Sequence, residues 1–401
     1  MHIIIIGGSF GGLTVAFDLR RLLPRSSHEI TLISRERRFI FIPALPWVAM
    51  GQKTISDISF DLEQPLRSKG IEFLEASVTR IDPTTKSVHA GNESYDYDYL
   101  VIATGHRSAN EAVPGLGPFD GPGHSLMSPP EAEEARDTWA AFIRDPGPIV
   151  VGCAPGASCL GPAYEFLFEA HHALKKRALC HKAPITFVTP EPFLGHFGVG
   201  GFGNIRLFME SELEKRDVRY HTSAAISKIT ENTVETADGQ VFESRYSLII
   251  PPLAGVKAIA DSPVLGNPKG FIPVDSNYQH KEFDRIYAVG VAVAMPPVEE
   301  TPVPVNFPKT AHMTEQMAKM AAKNIAADIL GGEKTSHDLM VECIMDMGQD
   351  AVHMVADPVR PPRNVSTMSK GRRWLWAKRF FTSYYLWKIR RGATRSPKWV
   401  W

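Results

Sequence analysis

The chain opens on a hydrophobic strand that runs directly into a glycine-rich turn, and this feature constrains its fold most. Residues 2–23 read HIIIIGGSFGGLTVAFDLRRLL, and the second apolar run EITLIS follows at residues 29–34. Strand, glycine turn, helix and strand in this order predict a parallel βαβ unit. Glycines at residues 7, 8, 11 and 12 let backbone N–H groups approach a pyrophosphate at a helix N-terminus. The sequence therefore predicts a dinucleotide-binding domain at its start.

The end of the second strand departs from the NAD-binding pattern. An acidic residue there usually binds the adenosine ribose, but this chain has Ser34 and Arg35, with Glu36 as the nearest carboxylate. A hydroxyl can still bond a ribose, and an arginine can reach a phosphate or stack on adenine. The departure counts against NAD at this first site more than against a flavin dinucleotide.

A second strand–loop–helix pattern lies in residues 148–168, PIVVGCAPGASCLGPAYEFLF, and its loop carries Cys153 and Cys159. Further strand patterns end at Gly105 and at Gly290. We therefore predict an α/β fold with two Rossmann-like domains, the first interrupted by the second. The predicted limits are residues 1–112 with 271–330 for the first domain, 113–270 for the second, and 331–401 for a C-terminal region.

Composition excludes several classes of protein. The formal net charge is zero, which gives no reason to expect nucleic acid as a partner. Four cysteines without a C-x-x-C pair match neither a disulfide-stapled scaffold nor a zinc site, so we expect no metal. The start shows no signal-peptide pattern and no apolar run approaches the length of a spanning helix. We expect a protein that stays on the cytoplasmic side.

The last thirty or so residues form a local exception in charge. Residues 370–401 contain ten Lys or Arg and no Asp or Glu. Aromatic residues within them fall on about half of a helix circumference, as expected for an amphipathic helix in the headgroup region of a membrane. This pattern predicts a peripheral, monotopic membrane protein whose tail adds nothing to the electron-donor side. A domain-packing helix and an RNA-binding tail are the alternatives.

Several longer motifs resemble one family. In the order GGSFGG, ATG, second Rossmann-like unit and YAVGVA, the chain is similar to flavoproteins of the pyridine nucleotide-disulfide reductase type. Within them it resembles the sulfide:quinone oxidoreductases through FIFIPALPWVAMG (39–51), GASCLGPAYEF (156–166), FLGHFGVGG (193–201), PVPVNFPKTAHM (302–313) and VECIMDMG (341–348). The resemblance implies an FAD-dependent enzyme that oxidises hydrosulfide to polysulfide or elemental sulfur and reduces a membrane quinone. It leaves association into a homo-oligomer open.

The resemblance also implies which residues contact FAD. They are Gly8, Ser9, Phe10, Gly11 and Gly12 at the pyrophosphate; Ser34 and Arg35 on the adenosine side; Pro43, Ala76, Val78, Ala103, Thr104 and Gly105 along the cofactor; Gly290 and Val291 near the ribityl chain; and Lys309 near the isoalloxazine. A cation at that last position suits an anionic reduced flavin.

The same resemblance assigns the sulfur chemistry to Cys159 and Cys343, which would bridge through sulfur beside the flavin. The third cysteine of the family falls within residues 123–135, where Met127 or a neighbour replaces it. The family also suggests Glu165 and His196 for proton handling. Attachment of the amphipathic tail to a membrane would give a lipid-dissolved quinone a way in, with Phe381 and Tyr385 as residues of the quinone wall. Cys153 and Cys180 are expected to be packing thiols.

Three other functions share parts of this pattern. A type II NADH:quinone oxidoreductase has the same fold, but it would need a clean glycine cradle near residue 152, where this chain reads GCAPGASCLG. A flavocytochrome-type sulfide dehydrogenase subunit would pass electrons to a haem partner. A flavin-based redox sensor would use Cys159 and Cys343 as a switch without turnover.

Overall fold

The fold is described from a computed structural model. The structure describes residues 1–118, 121–262 and 264–395. The end of the predicted C-terminal region, from residue 396 onward, therefore lies outside the described residues. The domain limits given above stay predictions.

Nine α-helices occur in the described residues: α1 Phe10–Leu22, α2 Leu45–Ala49, α3 Glu63–Ser68, α4 Pro129–Phe142, α5 Gly161–Lys176, α6 Ile205–Glu214, α7 Lys257–Ala260, α8 Ala311–Leu330 and α9 Arg372–Arg390. Short 3₁₀ turns occupy Ile42–Ala44, Ile55–Ile58, Asn110–Ala112 and Gly290–Ala292.

The strands of the first part of the chain are β1 His2–Ile6, β2 Glu29–Ser34, β3 Arg38–Ile40, β4 Ser59–Asp61, β5 Glu72–Glu75, β6 Val78–Asp82, β7 Ser87–Ala90, β8 Glu93–Asp96, β9 Tyr99–Ile102 and β10 Arg107–Ser108. Those of the middle part are β11 Ile149–Cys153, β12 Ile185–Val188, β13 Arg219–His221, β14 Ile226–Ile229, β15 Thr233–Thr236, β16 Val241–Glu243, β17 Tyr246–Ile250 and β18 Leu253–Ala254. The last strands are β19 Ile286–Ala288, β20 Val341–Asp346, β21 Ala351–Asp357 and β22 Val365–Gly371.

The first sheet has five strands in the order β19-β9-β1-β2-β5, and all neighbours run parallel. Its central strand β1 is buried on both faces, which explains the continuous run of isoleucines. Strand β19 joins the sheet although it follows the middle part of the chain. The first unit is therefore interrupted by the second, as the sequence predicts.

The second sheet has the order β13-β12-β11-β17 and is also parallel. Its central strand β11 ends at Cys153, and the loop that follows leads into α5. A Cβ at Gly152 would lie 2.0 Å from the carbonyl oxygen of Val188, so only glycine allows β12 to approach this closely. Two small antiparallel sheets, β6-β7-β8 and β14-β15-β16, accompany the parallel ones.

The C-terminal region begins with a third unit, the antiparallel sheet β20-β21-β22. Helix α9 follows it and packs against all three strands. Within residues 1–118, 121–262 and 264–395, no helix combines the length and apolar character needed to cross a bilayer.

The loop that precedes α6 is anchored from beneath by a buried carboxylate, Glu191. Its oxygens accept hydrogen bonds from the hydroxyls of Tyr164 and Thr189 at 2.7 and 2.8 Å and from the N–H of Phe197 at 2.8 Å. Burial raises the pKa of Glu191 to about 7, although these donors oppose the shift. The folded protein therefore holds a proton on Glu191 that the unfolded chain releases more readily.

We expect Glu191→Gln to change how stability depends on pH. Because the folded-state pKa is raised, the contribution of Glu191 is greatest at pH values below its unfolded pKa and is lost as the pH rises to about 7. The stability advantage of the wild type over Glu191→Gln should shrink between about pH 5 and about pH 8. Thermal melts of both proteins across this range test the point, and a constant difference would contradict it.

Candidate active site

The glycine turn between β1 and α1 has the geometry of a pyrophosphate cradle. Ser9 is the extended N-cap of α1, its side chain makes no capping hydrogen bond, and the first turn carries no acidic residue. The N–H groups of that turn therefore remain available to an anion. A Cβ at Gly12 would lie 1.8 Å from the carbonyl oxygen of Gly7, so the turn cannot close this tightly with a larger residue.

Other predicted cofactor contacts follow the same edge of the first sheet. After β9, Ala103 packs against Gly7, and the hydroxyl of Thr104 is buried without a hydrogen-bond partner among the described residues. Gly105 has φ +70° and leaves open space at its Cβ position. After β19, Gly290 also has φ +70°. A groove with small residues, free N–H groups and an unpartnered hydroxyl fits FAD.

On the adenosine side of this groove, the predicted FAD contacts Ser34 and Arg35 both bond to Glu36. The Ser34 hydroxyl donates to the carbonyl of Glu36 at 2.9 Å, and exposed Arg35 pairs with the Glu36 side chain at 3.0 Å. The N–H of Ala76 donates to the carbonyl of Ser34 at 3.0 Å, which brings the segment before Val78 alongside. Pro43 lies in the 3₁₀ turn Ile42–Ala44, close to the aromatic residues described below.

Lys309 is partly buried near the Gly290 turn. Its Nζ donates to the carbonyl of Val293 at 2.8 Å and lies 4.5 Å from the ring centroid of Phe271. Burial lowers the pKa of Lys309 to about 8, and its charge helps to lower that of His106, already lowered by burial, to about 4. Lys309 therefore lies near both the Gly290 turn and His106 in the loop after β9. Val291 in this turn is half-buried.

The structure brings Cys159 and Cys343 together. Cys159 lies just before α5 and Cys343 lies on β20; both are free thiols and partly exposed as residues. Burial raises the pKa of Cys159 to about 12, and the neighbouring Cys343 adds to that shift. Burial also raises the pKa of Cys343 to about 11, while Lys378 opposes and Glu165 reinforces the shift. At neutral pH both thiols carry their protons.

Of the other two cysteines, Cys153 also lies near Cys159, because burial, then Glu191 and then Cys159 raise the pKa of the Cys153 thiol well above its usual range. Cys153 ends β11 and is fully buried, and Cys180 is half-buried after α5. Met127, in the segment where the family carries its third cysteine, is buried in the core.

Glu165 is buried beside Cys343 and forms an ion pair with Lys378 of α9. Burial raises the pKa of Glu165 to about 7, although the ammonium of Lys378 pulls it down. The same ammonium lies 5.1 Å from the ring centroid of Trp47 in α2. Lys378 thus contacts a carboxylate that the sequence predicted for proton handling. The expectation that the tail adds nothing to the donor side stays a prediction, but Lys378 of the tail contacts this buried carboxylate.

His196 is placed differently from Glu165. It is buried, and its Nε2 is hydrogen-bonded to Glu299 at 2.8 Å, while its Nδ1 accepts from the N–H of Gly198 at 3.1 Å. Burial lowers the pKa of His196, and Glu299 opposes the shift. These bonds fix the loop before α6. The assignment of a proton-handling role to His196 stays a prediction.

The two predicted quinone residues lie in one aromatic cluster with the glycine turn. Tyr385 is buried, with its ring centroid 5.2 Å from that of Phe10, 5.3 Å from Phe41 and 5.8 Å from Phe381. Its hydroxyl donates to Glu315 of α8. The inner face of α9 therefore packs on the domain that holds the cradle, with Phe381 at the half-exposed margin of the cluster.

The site contains charged residues that sequence reasoning missed. Lys378 pairs with Glu165, and Trp47 donates from its Nε1 to buried Asp346 at 2.9 Å. One signal was available for Lys378, since it shares the buried stripe of α9 with Leu375, Thr382 and Tyr385 at helical spacing. A lysine in such a stripe indicates a buried anion.

Comparison with known proteins gives relatives over almost the whole chain. The family model described as Pyridine nucleotide-disulphide oxidoreductase matches residues 1–152. The sulfide-quinone reductase of Aquifex aeolicus (strain VF5) is 37% identical over 399 residues, which cover 98% of this chain and 91% of the relative. A type II NADH:quinone oxidoreductase of Staphylococcus aureus (strain MSSA476) is 26% identical over 396 residues, covering 92% and 93%.

Solved structures agree with these matches. The X-ray structure of the sulfide:quinone oxidoreductase of Aquifex aeolicus superposes with a TM-score of 0.94 at 36% identity, covering 99% of this chain and 93% of that one. NDH2 of Plasmodium falciparum superposes with a TM-score of 0.73 at 15% identity, covering 98% and 96%, and shows the shared fold. The predicted fold class is confirmed.

The glycine turn generates a direct test of cofactor binding. Gly12→Ala places a Cβ against the carbonyl oxygen of Gly7 and should abolish or sharply reduce FAD content. Gly161→Ala, at the start of α5 where a Cβ meets nothing within 4 Å, is the matched control and should keep its FAD. Flavin absorbance per protein, with intact folding checked by circular dichroism, gives the answer. Equal flavin content in both variants would contradict the assignment.

Proposed function

Because the chain belongs to the sulfide–quinone reductase family, we propose that Cys159 and Cys343 are the thiols through which it takes up sulfur. The protein is an FAD-dependent oxidoreductase that oxidises sulfide and reduces a quinone. The observation that carries the residue assignment is the proximity of these two thiols, which come from the loop before α5 and from β20. Cys343 adds to the rise that burial causes in the pKa of Cys159, and Cys343 itself lies near Lys378 and Glu165.

The net reaction sets what the side chains must do. Hydrosulfide, one proton and a quinone give zero-valent sulfur and a quinol. A hydrosulfide ion that attacks a bridge between two cysteine sulfurs leaves a persulfide on one and a thiolate on the other. Bound FAD supplies a two-electron carrier between the thiols and the quinone.

The surrounding charges suit that exchange. The ammonium of Lys378 favours the thiolate of Cys343, because it lowers the pKa that burial raises. Glu165, whose pKa lies near 7, can hold or release a proton at neutral pH. Glu165 and Lys378 contact each other. Near neutral pH the Glu165 carboxyl can therefore be either protonated or ionised beside Cys343.

NADH oxidation is the less supported alternative. The loop after β11 reads CAPGASC rather than a run of glycines, and it carries Cys159, which lies near Cys343. The type II NADH:quinone oxidoreductases are only distant relatives at 26% identity. Anaerobic mixing with sulfide should bleach the flavin quickly, whereas NADH should not. This comparison also separates an enzyme from a redox sensor once a soluble quinone supports turnover.

We further propose that α9 attaches the protein to a membrane surface. Trp376, Phe380 and Trp387 expose 66%, 60% and 53% of their surface although they are large and apolar. Arg372 and Arg379 are exposed on the same helix. Exposed aromatics beside arginines suit the headgroup region, where a lipid-dissolved quinone would be reached. The cytoplasmic face stays a prediction.

The thiol assignment predicts the effect of single substitutions. Cys159→Ser and Cys343→Ser should each keep FAD and lose sulfide-dependent quinone reduction by roughly a hundredfold or more, because the exchange needs two sulfurs. The double variant should lose little more than either single one. Cys180→Ser and Cys153→Ser are the controls and should stay active, the latter with some loss of stability. Near wild-type turnover in either Cys159→Ser or Cys343→Ser would refute the assignment.

The membrane assignment predicts the effect of polar substitutions on the outer face of α9. Trp376, Phe380 and Trp387 changed together to Ser should weaken binding to anionic vesicles and slow reduction of long-chain quinones. Flavin bleaching by sulfide should persist, because these side chains point away from Lys378 and Tyr385. The control changes three other exposed apolar residues, Leu207, Val241 and Val264, to Ser. Equal vesicle sedimentation of the two triple variants would contradict the prediction.

A further inference from the structure

The loop that carries Cys159 is held by a segment from a later part of the chain. This loop connects β11 to α5. The N–H of Gly156 donates to the carbonyl of Pro304 at 2.6 Å. The N–H of Asn306 donates to the carbonyl of Ala157 at 3.0 Å. The position of Cys159 therefore depends on the segment that contains Asn306.

The side chain of Asn306 adds the bond that depends on residue type. Its Nδ2 donates to the carbonyl of Gly156 at 2.6 Å. Because a carbonyl oxygen only accepts, an amide nitrogen must face it. The main-chain bonds to this loop can form with almost any residue at position 306, but this bond requires a side-chain donor. The bond is partly buried, so an acceptor in place of the donor would oppose the carbonyl without full access to water.

Asn306 is itself fixed by its surroundings. Val305 and Phe307 on either side of it are 3% and 1% exposed. Its carbonyl oxygen packs against Gly198 in the loop before α6, where a Cβ would lie 2.4 Å away. The segment cannot shift without moving its buried neighbours, so Asn306 is a firm support for the loop of Cys159.

The same segment leads to the predicted flavin contact Lys309. Asn306 precedes Lys309 by three positions. The Nζ of Lys309 donates to the carbonyl of Val293, close to the Gly290 turn, at 2.8 Å. One short stretch of chain thus supports both the loop of Cys159 and the lysine that the sequence predicts beside the isoalloxazine.

The two thiols are held in different ways. Cys343 lies within β20, whose pairing with β21 places it opposite Met354. Cys159 lies outside regular structure, just before α5. Sulfur–sulfur bonds form only within a narrow range of separations, with the two Cβ atoms of a disulfide about 3.5–4.5 Å apart. Because the strand fixes Cys343, the anchor of the loop decides whether the Cys159 sulfur can meet it.

We propose that Asn306 is a positioning residue that holds Cys159 where its sulfur can exchange with that of Cys343. This inference rests on the proposed function, in which these two thiols take up sulfur together. Asn306 acts through the main chain of the loop, and its described hydrogen bonds reach neither thiol. Displacement of a reacting group by about 1 Å can cost about a hundredfold in rate, so the loss of one amide bond is enough to matter.

Two substitutions test the side-chain amide. Asn306→Asp keeps the shape of the side chain but turns a carboxylate oxygen toward the carbonyl of Gly156. Asn306→Ala removes the side-chain bond and leaves the main-chain bonds in place. Asn324→Ala is the matched control, because the Nδ2 of Asn324 also donates to a main-chain carbonyl, that of Thr335, at 2.9 Å. Asn324 is 1% exposed, so its loss should destabilise the fold at least as much.

The first measurement needs no turnover. Reduced, FAD-loaded protein is treated anaerobically with diamide, which takes two electrons and two protons from a pair of thiols as a disulfide forms. Alkylation and peptide mass spectrometry then time the Cys159–Cys343 link. The link should form at least about tenfold more slowly in both Asn306 variants than in the wild type, and at the wild-type rate in Asn324→Ala. Unchanged linking in either Asn306 variant, or equal slowing in Asn324→Ala, would overturn the proposal.

The second measurement separates the two halves of the reaction. Anaerobic bleaching of the flavin by sulfide should slow at least about tenfold in both Asn306 variants, whereas reoxidation of photoreduced flavin by a soluble quinone should keep its wild-type rate. Equal slowing of both halves would contradict a positioning role. If only the wild type forms the Cys159–Cys343 link but sulfide bleaches no flavin, the proposed function fails and the positioning role stands. A wild type that forms no such link would overturn both.

Discussion

The buried ion pair between Lys378 and Glu165 is the contact on which the rest of the site depends. It joins the last helix to the helix that follows Cys159, and it lies beside Cys343. Removing one member of a buried pair costs about 3–5 kcal/mol, because the other charge is left without compensation. Helix α9, which also carries the exposed aromatic residues, is therefore held next to Cys343 by the costly-to-break Lys378–Glu165 pair. The proposed attachment to a membrane and the charge beside Cys343 thus involve the same helix.

This helix uses its two faces for different purposes. Its inner face presents Lys378 to Glu165 and Tyr385 to the aromatic cluster around Phe10. Its outer face presents Trp376, Phe380 and Trp387 to the surroundings. In the proposed attachment to a membrane, α9 lies between the bilayer surface and the aromatic cluster around Phe10.

Local patterns predicted the parts of this fold that depend on neighbouring residues. The strand before Gly7, the turn closed by Gly12 and the interruption of the first sheet before β19 follow from periodicity and glycine spacing. The approach of Cys159 to Cys343 came from resemblance, since no pattern along one chain pairs residues this far apart. The partners of Lys378 could not be predicted. A buried stripe on a helix shows that a lysine is covered, but only the packing of α5 against β20 decides which acid covers it.

The raised pKa values of the thiols support the proposed proton-handling role of Glu165. With pKa values of about 12 and about 11, Cys159 and Cys343 hold their protons at neutral pH, and a protonated thiol is a poor nucleophile. A thiolate forms there only if its proton passes to a nearby acceptor. Glu165, with a pKa of about 7, is matched to that task, and burial sets this value against the opposing effect of Lys378. The burial that suppresses the thiolates thus also tunes the group that can release them.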